Sequence, residues 1–317
     1  MSIIASSTSS AIAPSGAIHP AAPAVAYLAA QRSAMGRQAV ESDLRKIARL
    51  LGAADWRDVD WTRINAAAAQ AVIARLTGAP STINRALSTL RGVARSAWQL
   101  GCISAEELQR VLAIKGVRGS RLPRGRHLQR SEIAALLDAC NDGTARGKRD
   151  AAMIALAAAT GMRREEIVSL RVSDMDDSSP DALTLRIVGK GNKQREVFVV
   201  GAALSLLREW LRARGTADGY VFCCISNDCR MLTSRRLSTV AAHKILQRRA
   251  QRAGVQDVSW HDFRRTVAGS LLSLGEDIST VARLLGHAHV ATTMRYDRRP
   301  SEQLLRAARR LADEYRR

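Results

Sequence analysis

One phenol, two arginines, two histidines and one lysine lie along this 317-residue chain in local strings that suit attack on a phosphodiester. The strings are Thr160-Gly161-Met162-Arg163-Arg164-Glu165-Glu166-Ile167, Gly189-Lys190-Gly191-Asn192-Lys193-Gln194-Arg195, His261-Asp262-Phe263-Arg264 and Leu284-Leu285-Gly286-His287, with Tyr296 nine positions further on. A phenol ordinarily titrates near pH 10, so it becomes a nucleophile at neutral pH only in cationic surroundings. Charge that grows on non-bridging phosphate oxygens is best met by guanidinium forks, which stay ionised and bind two oxygens at once. The departing alkoxide oxygen needs a proton donor. Arginines, a general acid and a tyrosine are what cleavage without water or metal requires. Arg163, Lys190, His261, Arg264, His287 and Tyr296 are the candidates for it.

Each string alone has a plainer meaning. Thr-Gly-x-Arg-x-x-Glu reads as a helix start with an internal ion pair, in which Glu166 shares a helical face with Arg163 and holds it. Gly161 ahead of it would let the backbone approach a phosphate closely. The glycine-rich string at Lys190 resembles a phosphate loop but lacks the glycine spacing and the Ser or Thr of a Walker motif. It reads as a hairpin tip, with Lys190 or, failing that, Lys193 as the lysine that reaches into a groove. His261 and Arg264 are spaced to leave one helix face together. His287 alone would be an ordinary histidine at a helix end. Their joint order and spacing outweigh these separate readings.

The elements that must carry these residues are mostly helical. Residues 1–23 are rich in Ala and Ser with Pro14, Pro20 and Pro23, carry no charged side chain, and read as a flexible lead-in. Residues 24–117 are helical throughout; the clearest element spans Ser81 to Leu100, with Ile83, Leu87, Leu90, Ala94 and Trp98 on one face. Arg85, Arg91 and Arg95 lie off that stripe and are candidate DNA contacts. From Lys115 to His127, glycines and Pro123 mix with Lys115, Arg118, Arg121, Arg124 and Arg126, as expected of a flexible basic linker (118–127) lying along phosphates. A second domain follows from Leu128 to the end. Its helices are expected at Ser131–Cys140, Lys148–Ala159, Ala202–Arg214, Ser238–Ala253, His261–Leu274, Ile278–Leu285 and Ser301–Tyr315. Strands Ala182–Val188 and Arg195–Val200 form its hairpin.

Composition narrows the partner. Lys and Arg number 49 against 29 Asp and Glu, a formal charge of +20, spread along the chain and not gathered in a tail. An excess of that size implies a polyanion, and nucleic acid is the expected one. The longest apolar run, Ala151 to Ala159, is about half of what a bilayer-spanning helix needs, so no membrane span is expected. Cys102, Cys140, Cys223, Cys224 and Cys229 lack the second CxxC pair and nearby histidine of a zinc site, and no metal is expected. They suit a reducing cytoplasm.

Taken together, the strings from Arg163 to Tyr296 resemble those of the tyrosine recombinase/integrase family. The resemblance is strong over 128–317 and rests on helical character and basic faces alone over 24–117. It implies a mainly α fold with a small β-hairpin or sheet, arranged as a two-domain C-shaped clamp of a helical (SAM-like) core-binding domain and an α+β catalytic domain. It also implies that Arg163 and Arg264 clamp the scissile phosphate, His287 bonds to it, His261 assists proton transfer, Lys190 is the general acid, and Tyr296 forms a 3′-phosphotyrosine. No cofactor, metal or ATP is then needed. The implied partners are double-stranded DNA with paired inverted sites and three further copies of the chain, in a nucleoid-associated cytoplasmic tetramer. Leu304, Leu305, Ala308 and Leu311 would line a C-terminal helix that docks on a neighbouring protomer. Arg265 departs from the pattern, since many relatives carry a second histidine there, and is expected to affect packing. Service to a mobile element is the first biological role expected. Resolution of cointegrates or replicon dimers, type IB topoisomerase activity and a non-catalytic DNA-binding regulator remain alternatives.

Overall fold

A computed structural model describes residues 18–119, 125–189, 194–287, 293–294 and 309. The chain divides into two compact units, Met1–Pro123 and Arg124–Arg317.

In the first unit, helices α1 (Ala22–Ala29), α2 (Ala34–Leu50), α3 (Ala66–Arg75), α4 (Pro80–Gln99) and α5 (Ala105–Ala113) surround two short 3-10 turns at Trp56–Asp58 and Trp61–Arg63. Side-chain oxygens of Ser33, Asn65 and Ser104 cap α2, α3 and α5, and Pro80 opens α4. Leu44, Ile47, Trp56, Trp61, Leu87, Leu90 and Val93 form the core. The buried seam of α4 runs through Ile83, Leu87, Leu90, Ala94 and Ala97. Its step of four, three, four, three is the helical period, so Trp98 falls one residue off the seam and is 46% exposed, against expectation.

The stretch expected to be a flexible linker is pinned at both described ends. On α4, Asn84 Nδ2 donates to the Val117 carbonyl at 3.0 Å, and the Val117 N–H donates to Asn84 Oδ1 at 2.8 Å. In the second unit the Arg126 N–H donates to Asp262 Oδ1 at 2.9 Å and the Leu128 N–H to Thr266 Oγ1 at 2.8 Å. Gly125, with φ +115°, passes so close to Asp262 and Arg265 that a Cβ would overlap both side chains. Arg265 does act in packing, against this backbone. Arg121 and Arg124 lie outside the described residues.

The second unit holds α6 (Arg130–Asp138), α7 (Ala145–Thr160), α8 (Arg164–Ser169), β1 (Met175–Asp176), β2 (Ala182–Val188), β3 (Gln194–Val200), α9 (Gly201–Arg214), β4 (Cys223–Ile225), β5 (Met231–Arg236), α10 (Thr239–Ala253), α11 (Trp260–Ser273) and α12 (Ile278–Leu285). Strands β1, β2 and β3 form an antiparallel sheet in that order, and β4 pairs with β5. The expected hairpin is present, paired from Ala182 opposite Val200 to Val188 opposite Gln194. Strands β1, β4 and β5 were not expected; β1 is two residues long, and β4 and β5 lack clear alternation of burial. Helix α7 is the axis of the core, with Ala152, Met153, Ile154, Leu156 and Ala157 buried and packed with α9 and the hairpin. Asp150 on α7 accepts from buried Arg149 at 2.8 Å and from Arg249 of α10 at 2.8 Å, so this buried carboxylate is paired on both sides. The fold is thus mainly helical with small antiparallel sheets. The expected helix Ser301–Tyr315 and its apolar stripe lie outside the described residues.

Candidate active site

Arg163 precedes α8, in an extended conformation, as its N-terminal cap. This corrects the expectation that it shares a helix face with Glu166. The two meet by capping: the Arg163 N–H donates to Glu166 Oε2 at 2.8 Å and its Nη1 to Oε1 at 2.9 Å. A second arginine reaches the same carboxylate. Arg195, the second residue of β3, donates through Nη1 to Oε1 at 3.1 Å and through Nη2 to Oε2 at 2.8 Å. The Glu166 side chain is only 8% exposed. Burial pushes its pKa up, but the hydrogen bonds from Arg195 and from the Arg163 backbone outweigh that and hold it below the usual carboxylate range.

The arginine from α11 enters from the other side. Arg264 is buried; its Nη1 donates to the Gly161 carbonyl at 2.9 Å and its Nη2 to the Leu285 carbonyl at 2.6 Å. Arg163 Nη2 donates to the next carbonyl, Gly286, at 3.1 Å. Two guanidiniums from distant strings therefore hold consecutive carbonyls at the end of α12. Gly286 ends that helix in the left-handed region (φ +67°), and the His287 N–H returns to the Ala282 carbonyl at 2.9 Å. Gly161 also takes a left-handed turn (φ +63°), and a Cβ there would lie 2.7 Å from Leu285 Cδ2. Its close approach in the protein itself is to α12.

Arg163, Arg164, His243, Ser259, His261 and Arg264 line one cleft of about 300 Å³. His261 is exposed and Arg264 buried, so one helical face carries a reachable imidazole above a fixed guanidinium. His287 is half-buried, with Nδ1 2.7 Å from Thr293 Oγ1. Burial, and then the charges of Arg264 and Arg163, push the His287 pKa down to about 4. Although His261 reaches solvent, desolvation by the side chains around it, then the charges of Arg265 and Arg264, also hold it below the usual imidazole range. Concentrated positive charge on fixed donors is suited to an anion. Lys190, Lys193 and Tyr296 lie outside the described residues.

The candidate DNA contacts divide by what their side chains already do. Arg85 is committed to a buried carboxylate on α2, with Nε and Nη2 at 2.8 and 2.9 Å from the Asp43 oxygens. Arg91 donates to the Ile114 carbonyl. Arg126 is held by Glu132 and by the Gln256 carbonyl, both at 2.7 Å. Each of the three has a structural task that the sequence did not reveal. Arg95, Lys115 and Arg118 are exposed. Arg195 is a further residue of the site, one that spacing alone does not single out. Its signal was positional: strict alternation along β3 puts it on the inward face with Val197 and Val199, where a lone charge demands a partner.

Residues 126–302 match the phage integrase family. The chain is 33% identical over 271 residues to tyrosine recombinase XerC of Chromohalobacter salexigens, covering 82% of this chain and 84% of that protein. Its fold is similar to that of XerH site-specific recombinase bound to difH substrate, at a TM-score of 0.61 and 23% identity over 86% of this chain and 79% of that one. It is also similar to lambda integrase crystallised as a tetramer on a Holliday junction, at a TM-score of 0.60 and 17% identity over 86% of this chain and 74% of that one.

Proposed function

The chain belongs to the phage integrase family, the tyrosine recombinases, and from that we propose that it cuts and rejoins DNA at specific sites through a 3′-phosphotyrosyl link to Tyr296. As a member it is a DNA strand-transfer enzyme, of a class that needs neither metal nor ATP. The observation that carries the finer reading is the clamp at the end of α12, where Arg163 and Arg264 hold consecutive carbonyls directly before His287.

In this reading the Tyr296 oxygen attacks phosphorus while Arg163 and Arg264 meet the charge growing on the non-bridging oxygens. His287 donates a hydrogen bond to one of these oxygens, and His261 assists proton transfer from the phenol. Lys190 gives its proton to the 5′-oxygen as the bond to phosphorus breaks. The 5′-hydroxyl of another strand then attacks the phosphotyrosine, so one phosphodiester is formed for each one broken. A bond of equal energy is kept throughout, which is why no nucleotide is consumed.

Service to a mobile element, or resolution of cointegrates or replicon dimers by the same chemistry, is the biological role proposed, and the recombinase relative named above is compatible with both. A tetramer on paired inverted sites is the assembly proposed, by analogy with the lambda integrase tetramer. The cytoplasm, at the nucleoid, is the proposed location. A plasmid bearing two copies of the DNA that flanks this gene tests the reading. Recombinant circles that require both copies support it. Relaxation at unrelated sequences would indicate a type IB topoisomerase, and binding without cleavage a regulator.

A further inference from the structure

Arg195 stands at a place where a sheet normally buries an apolar side chain. Along β3 the inward positions are Arg195, Val197 and Val199, and the arginine side chain is only 12% exposed. Its guanidinium covers both oxygens of Glu166, the carboxylate that holds Arg163 by backbone and by side chain. It also fills the space beside Gly286, where a Cβ would come within 2.9 Å of Arg195 Nη1. Its Nε is buried with no hydrogen-bond partner among the described residues. A leucine would fill such a site without that unsatisfied donor, so packing alone does not account for an arginine here.

We propose that Arg195 is a positioning residue for strand cleavage: by neutralising and orienting Glu166, it fixes the direction in which Arg163 presents its guanidinium to the phosphate. The inference rests on the strand-transfer reading above. A buried carboxylate without a fixed counter-charge takes up a proton or turns toward whichever cation is nearest. Either event would release the Arg163 guanidinium from the geometry in which it also holds the Gly286 carbonyl. The charged groups facing Glu166 are Arg163 at its own helix start and Arg195 from β3. Beyond Arg163 stand His287 after α12 and His261 and Arg264 from α11; behind α8, Arg236 of β5 is paired with Glu165. Burial pushes Glu166 up, and Arg195 supplies the largest opposing contribution, so its removal shifts Glu166 toward protonation.

The test compares Arg195→Gln, Arg195→Lys, Glu166→Gln and the Arg195→Gln/Glu166→Gln pair in the full chain. Covalent-adduct formation on a nicked suicide substrate is measured from pH 5 to 8, with gel-shift binding to a single site as the control. Arg195→Gln should bind the site normally, cleave about 10- to 100-fold more slowly, and lose activity on acidification at a higher pH than wild type. In the Glu166→Gln background, Arg195→Gln should add no further loss and no pH shift. Arg195→Lys should keep the wild-type acid limb but cleave more slowly, because a point charge cannot grip both oxygens. A loss equal at every pH and multiplicative with Glu166→Gln would overturn the proposal. Should Arg195→Gln fail to bind, Arg195→Lys decides alone, and wild-type speed from it would equally overturn it. Absence of any adduct from the wild-type protein would instead refute the strand-transfer reading, before any variant is compared.

Discussion

The Glu166 carboxylate receives both the backbone N–H and the guanidinium of Arg163, at 2.8 and 2.9 Å, so the arginine ahead of α8 is held at both ends by one side chain. Glu166→Gln keeps the shape but removes the charge and one acceptor. It should slow adduct formation roughly 10- to 100-fold, the scale of a misplacement near 1 Å, and leave single-site binding within about twofold, since affinity is spread over many phosphate contacts. Rapid-quench cleavage beside a gel-shift titration measures both. Equal losses in the two would mean that Glu166 serves the fold and not the aim of Arg163.

Gly161→Ala should destabilise the second unit by about 2 kcal/mol. The left-handed backbone (φ +63°) disfavours a Cβ, and the added atom would lie 2.7 Å from Leu285 Cδ2. Because the Gly161 carbonyl accepts from Arg264, cleavage should fall as well. Urea unfolding and the suicide-substrate rate report the two effects, and an unchanged midpoint would contradict the packing described for α12.

Arg85 and Arg95 stand on the same helix and should behave differently. Arg85→Ala strands Asp43, which is 1% exposed, and should lower stability by about 2 kcal/mol. Asp43→Asn in the same chain should restore part of that loss. Arg95→Ala should leave the unfolding midpoint unchanged and reduce the salt dependence of DNA binding by about one ion. Thermal denaturation and binding at several salt concentrations separate them; a stable Arg85→Ala chain with weakened binding would reverse the assignment.

His287 carries a pH prediction. In the DNA-free protein its pKa is about 4, so it is neutral across the range above that. A phosphodiester beside Arg163 and Arg264 offsets the charges that depress it and raises the pKa, so the complex holds a proton that the free protein lacks. Affinity should therefore increase as pH falls from about 6.5 toward 5. His287→Gln should flatten that rise. Fluorescence anisotropy at constant ionic strength is the measurement, and an identical pH slope in both proteins would remove His287 from the phosphate site.

How far the sequence revealed this protein differs between fold and site. Long periodic segments such as α4, α7 and α10 were legible because one face must be buried, and the β2–β3 hairpin because alternation and a glycine-rich tip define it. The short strands β4 and β5 left no such trace. For the site, order and spacing pointed to Arg163, His261, Arg264 and His287, and the described cleft or the turn beside it gathers all four. Spacing could not disclose which arginines were already engaged: Arg85 answers to Asp43, 42 positions away, and Arg126 to the Gln256 carbonyl, 130 positions away. Arg195 is hidden for the same reason, since its partner Glu166 lies 29 positions earlier.

In the proposed reaction Tyr296 is the nucleophile of a strand transfer directed by this cleft. A nicked suicide substrate from the gene's flanking DNA, incubated with wild-type protein and digested, should yield one peptide bearing a 3′-linked nucleotide, with the modification on Tyr296 by mass spectrometry. Tyr296→Phe should bind the same DNA with nearly unchanged affinity and give no adduct. An adduct persisting in Tyr296→Phe, or one mapped to Tyr27, Tyr220 or Tyr315, would contradict the account.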